Sequence, residues 1–87
     1  MRIAKNIVLS KNGRKDVPPT EDWYTIYKNF PIDKLEIGHS FNTKIDYEYG
    51  KTISIKNSCR NKAKKLNLTM KFAVREWKGK IRVWRTA

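Results

Sequence analysis

One cysteine and one histidine stand in 87 residues, and each scarcity closes off a class of chemistry. Cys59 alone cannot form an internal disulfide or build a cysteine-based zinc site, which fits a reducing compartment. His39 has no histidine partner, and no Ser-His-Asp, Cys-His, His-Glu-x-x-His, Walker or Gly-x-Gly-x-x-Gly pattern occurs. Its neighbours Gly38 and Ser40 read as a turn leading into a strand, which makes His39 a polar turn residue. Asp33, Glu36, Asp46 and Glu48 are scattered over turn and strand positions, so neither a metal site nor a cofactor is expected. Long apolar runs are also missing. None exceeds three residues, as in Ile7-Val8-Leu9, whereas a membrane helix needs roughly 20, and no signal-peptide core follows Met1-Arg2. The expectation is a cytoplasmic, non-enzymatic protein without membrane contact.

Acidic residues are the next shortage: eight, against twenty Lys and Arg, for a net charge of +12. Residues 51–87 hold twelve of the basic residues and one acid, Glu76, while residues 1–50 are nearly balanced at eight against seven. Like charges crowded on so short a stretch repel one another, and an external polyanion removes that cost. Ten aromatic residues and 39% hydrophobic composition supply core material that a disordered chain lacks. A domain of this size buries a modest share of its surface, and homodimerisation would add to it.

Along the chain, Arg2–Leu9 has the residues of a strand, ended by Ser10-Lys11-Asn12-Gly13, and Val17-Pro18-Pro19 interrupts regular structure. Residues 1–19 therefore read as a basic, mobile arm and residues 20–87 as one α+β domain. Thr20 is an N-cap candidate, and Trp23, Ile26, Tyr27 and Phe30 then recur at i, i+3, i+4 and i+7. That spacing marks a short aromatic helix, although the same β-favouring residues also suit an extended segment across a sheet. Phe41, Thr43, Ile45 and Tyr47 alternate as a half-buried strand does. A helix starting at Thr52 or Ser54 and running to Asn67 places Ile55, Cys59, Ala63 and Leu66 on one narrow apolar stripe. Lys56, Arg60 and Lys64 form a basic column beside it, with Asn57 and Asn61 adjacent, a face able to meet base edges and phosphates in a major groove.

The last twenty residues read as a hairpin turning at Lys78-Gly79. A two-residue loop pairs Ala73 with Trp84, Val74 with Val83, Arg75 with Arg82 and Trp77 with Lys80, whereas a three-residue loop mixes polar and apolar side chains on one face. Leu68, Met70, Phe72, Val74, Ile81 and Val83 then make the core face. Lys71, Ala73, Arg75, Trp77, Lys80, Arg82 and Trp84 make the other. Two arginines directly opposite each other destabilise a sheet, and tryptophans between such cations match a surface that stacks on bases while the cations hold the backbone. On that reading, alanine at both Arg75 and Arg82 leaves stability level or higher.

Phe30-Pro31-Ile32-Asp33-Lys34-Leu35-Glu36-Ile37-Gly38-His39-Ser40-Phe41, the Ser54–Leu66 helix, and Lys71-Phe72 through Gly79 to Arg82-Val83-Trp84-Arg85 together resemble a family of small uncharacterised bacteriophage proteins. The resemblance spans about residues 30–85, and its most specific piece is Arg82-Val83-Trp84-Arg85 following Phe72, Arg75 and Gly79. The family usually has an acid or other polar residue in place of His39, and it has no assigned activity. The resemblance implies a phage origin and action in the bacterial host cytoplasm.

The expected architecture is strand, helix and hairpin (β-α-β-β), preceded by the arm and the aromatic segment. The expected function is nucleic-acid binding, DNA ahead of RNA, through Lys56, Arg60, Lys64, Lys71, Arg75, Trp77, Lys80, Arg82, Trp84 and Arg85. Two rivals stand beside it. One is a phage inhibitor of a host protein, with the tryptophan face as its hot spot. The other is a small RNA-cleaving toxin of the HicA type, whose Gly-Ser-His order differs from Gly38-His39-Ser40.

Overall fold

In the computed structural model, which describes residues 3–12, 29–48 and 52–87, the element order is β1 (Ile3–Ala4), a 3-10 turn (Ile32–Lys34), β2 (Ser40–Asp46), α1 (Thr52–Lys65), β3 (Phe72–Trp77) and β4 (Lys80–Arg85). The described strands form one antiparallel sheet in the order β1-β2-β4-β3. The fold is a small single α+β domain. Trp23, Ile26 and Tyr27 of the expected aromatic helix lie outside the described residues; Phe30 is buried in the core, its ring 5.2 Å from that of Phe41.

The hairpin register follows from its turn. Lys78 and Gly79 both have positive φ, 50° and 79°. Two such residues in a two-residue loop match the right-handed twist of the flanking strands, and glycine takes this conformation without a Cβ penalty. Val74 faces Val83, Arg75 faces Arg82 and Trp77 faces Lys80, as alternation requires. The ladder stops at Lys71, which exchanges backbone hydrogen bonds with Thr86 and Ala87. Leu68, expected on the core face, is therefore 37% exposed, and Met70 is only partly buried.

β2 hides an irregularity. Asn42 pairs with Arg82 and Asp46 with Lys80, so β2 spends two more residues than β4 over that stretch. Lys44 takes φ 63°, its amide donating to Asn42 Oδ1 at 2.8 Å, while Thr43 Oγ1 donates to the Ile81 carbonyl at 2.7 Å. An insertion of two residues keeps side-chain alternation intact. Phe41, Thr43 and Ile45 thus all remain buried.

α1 lays Ile55, Cys59 and Ala63 on the sheet's core face, among Phe41, Phe72, Val74, Ile81 and Val83. Its last turn closes with the Leu68 amide on the Ala63 carbonyl (2.9 Å), the Asn67 amide on the Lys64 carbonyl (3.0 Å), and Asn67 at φ 57°. This Schellman closure ends the helix two residues before the expected boundary. It also leaves Leu66, expected on the stripe, 44% exposed. Burial pushes the Cys59 thiol up to about 12. In the unfolded chain the thiol ionises at lower pH, so its contribution to stability is lost as pH rises from the ordinary thiol range toward that value. Mildly alkaline iodoacetamide is expected to spare the native protein and to label it completely in denaturant. Labelling of both at one rate would contradict a buried stripe.

Candidate nucleic-acid interface

The two faces of the sheet have different fates. One holds α1 and the core; the other was expected to be an open platform of cations and tryptophans. The chain itself crosses that second face. β1 pairs with β2 at one sheet edge, Ile3 opposite Phe41. The Ile7 carbonyl then accepts a hydrogen bond from Trp84 Nε1 at 2.7 Å, and the Asn12 carbonyl accepts one from the Glu76 amide on β3, the other edge strand, at 2.6 Å. Residues 3–12 of the expected mobile arm are a strap tied to both edges and to the middle.

Beneath it, Trp84 is 3% exposed and Arg82 4% exposed. Neither is placed to touch a ligand, which corrects the expectation of an open stacking surface there. Arg82 Nε donates to the buried Ser40 Oγ at 2.8 Å, and its guanidinium carbon sits 4.7 Å from the Trp77 ring centroid. Lys78 Nζ lies 4.6 Å from the same centroid. The half-buried Trp77 is thus already in contact with two cations and is not a bare platform for a base. Burial lowers the pKa of Arg82, and it makes no ion pair with a described carboxylate. Facing Arg75 across the strands, it keeps its place through Ser40 and Trp77. Alanine at Arg82 is therefore expected to destabilise the fold by about 1–3 kcal/mol, leaving the Ser40 hydroxyl without its partner, and methionine less, because it keeps volume without a buried charge. Equilibrium urea unfolding of the two variants measures the difference. This reverses the relief of strain expected from alanine at both arginines.

Other expected contact residues serve the fold as well. Lys80 forms an ion pair with Asp46. Arg85 donates through Nη1 to the Leu35 carbonyl at 2.9 Å and through Nε to the Ala87 carbonyl at 3.0 Å, joining β4 to the 3-10 turn. Arg75, half-buried, donates to the Val74 carbonyl at 3.1 Å.

Lys56, Arg60, Lys64 and Lys71 are exposed. None of them pairs with a described acid. The first three climb α1 on one column, and Lys65 in its last turn is also exposed. Lys62 turns inward instead, donating to the Phe30 carbonyl at 2.7 Å. At the hairpin tip, Asp46, Glu48 and Glu76 with Asn12, Tyr47 and Gly79 line an open depression of about 480 Å³. Cations therefore dominate the outer helix face, while three carboxylates gather at the hairpin end.

His39 Nε2 lies 3.7 Å from Glu36, and among the described residues no group of three or more His, Cys, Asp and Glu side chains is placed to hold a metal. No described helix is long and apolar enough to cross a membrane. No family model, curated protein or solved structure matches the chain.

Proposed function

We propose that this chain is a non-enzymatic nucleic-acid-binding protein, DNA favoured over RNA, that holds phosphates through the outer face of α1. The observation that carries the proposal is the exposed column Lys56, Arg60 and Lys64 on a helix whose adjacent stripe is held in the core. Cations without carboxylate partners on a rigid element keep their full attraction for a polyanion and need no rearrangement to meet it. Lys65 in the last turn of the helix extends the same field. Trp84 no longer supports the inhibitor reading, since a buried indole makes no interface hot spot. A bacteriophage origin, action in the host cytoplasm and a homodimer belong to the proposal too, the first two resting on the resemblance of residues 30–85.

Mobility shifts with duplex DNA, single-stranded DNA and RNA over a salt series test it. Log affinity is expected to fall with log salt on a slope corresponding to about four to eight phosphate contacts. A flat slope, or no complex in dilute buffer, refutes the proposal. The same assays with His39→Ala are expected to agree with wild type within about threefold and to show no strand cleavage. RNA cut by the wild type and spared by that variant would establish catalysis instead.

A further inference from the structure

α1 presents more than positive charge. Each residue of a helix advances by about 100°, so with Cys59 directed at the core, Asn57 and Asn61 fall nearest the outermost line. Lys56, Arg60 and Lys64 rise on one flank of that line and Lys65 stands on the other. All six are exposed. Asparagine is a poorer helix former than lysine or glutamate, because its side chain competes for backbone hydrogen bonds. Two of them one turn apart on the crest are not what solvation of a helix face requires. Neither amide has a hydrogen-bond partner among the described residues. The crest thus offers two free donor-acceptor groups between cations.

We propose that α1 enters the major groove of duplex DNA, with Asn57 and Asn61 reading adenine edges while the flanking cations hold phosphates on the two groove walls. This rests on the nucleic-acid reading above and narrows its ligand to a double helix containing A·T pairs. An asparagine amide pairs with adenine through N6 and N7 together, which a lysine ammonium cannot do. The groove, about 12 Å wide, admits a helix of about 10–12 Å diameter with its side chains. Successive asparagines rise about 6 Å along the axis, roughly two base steps of 3.4 Å, so the two adenines read are expected to lie within a few base pairs of each other. The cations set affinity and the amides set preference.

The test selects binding sites from a randomised duplex pool with the full chain, then compares wild type with Asn57→Ala/Asn61→Ala by fluorescence anisotropy. Alanine is the better helix former, so the double variant retains its fold, which circular dichroism verifies. Wild type is expected to prefer duplex to single strand and to enrich sites with adenines at fixed spacing. The double variant is expected to keep the salt slope and lose at least tenfold of the discrimination. Replacing the selected adenines by 7-deazaadenine, which lacks the N7 acceptor, is expected to weaken wild type and not the variant. A wild type that selects no sequence, prefers single strands or RNA, or loses nothing on 7-deaza substitution overturns the groove reading and leaves nucleic-acid binding standing. A protein that binds no nucleic acid overturns both.

Discussion

Replacing Trp84 by alanine is expected to remove about 3–5 kcal/mol of stability, the range for truncating a buried aromatic residue. The indole is 3% exposed and its N–H is taken up by the Ile7 carbonyl, so the substitution opens a cavity and releases the middle of the strap at once. Net stabilities of domains this small run to roughly 0.05–0.15 kcal/mol per residue, which leaves such a variant marginal. Trp84→Phe separates the two contributions. It retains most of the packing and loses the hydrogen bond, for about 1 kcal/mol. Urea unfolding gives the energies, and limited proteolysis reports on residues 3–12: cleavage there is expected to accelerate in both variants, in Trp84→Ala most. If the alanine variant unfolds at the wild-type urea concentration, the strap does not cover the sheet.

The second large effect is on binding. Alanine at Lys56, Arg60 and Lys64 together is expected to leave stability within about 0.5 kcal/mol, because all three are exposed and alanine is a strong helix former. Affinity for duplex DNA is expected to fall roughly a hundredfold at moderate salt, and the slope of log affinity against log salt to shrink by about 2.7 for three lost phosphate contacts. Lys80→Ala is the matched control, removing a cation already neutralised by Asp46. Its effect is expected to be within a few-fold. A loss per removed charge as large in the control as in the triple variant would place binding in net charge alone, with no role for the helix face.

The elements legible in the sequence are those whose signal is local. Lys78-Gly79 and the alternation around it specified the hairpin pairing residue by residue, and Ile55, Cys59 and Ala63 marked the buried helix stripe. The strap was not legible. It is held at its centre by a backbone carbonyl, and any residue at position 7 supplies one. The shift in β2 was silent for a different reason, since two extra residues leave the alternation unchanged. Alternation in the hairpin puts Arg82 on the face away from the core, which the sequence gives no reason to cover. Its burial depends on Ser40 and Trp77, which only the folded sheet brings to it. Leu68 went wrong by extrapolation: apolar alternation continues past the point where the ladder stops at Lys71. For the proposed interface, the charge pattern marked the helix column and the sheet face alike, and only three-dimensional coverage showed Arg82 and Trp84 of the sheet face to be buried.

The strap also sets an order of events during synthesis. A ribosome releases residues 3–12 well before their partners, which are Ser40 and Phe41, then Glu76, and finally Trp84, 77 positions downstream of Ile7. Contacts so distant along the chain close late and slowly. The stretch around Ile7 must wait for its anchor until Trp84 has left the exit tunnel. This face of the native sheet is thus sealed only after Trp84 has emerged, and a chain truncated before Trp84 lacks the indole that fastens the strap.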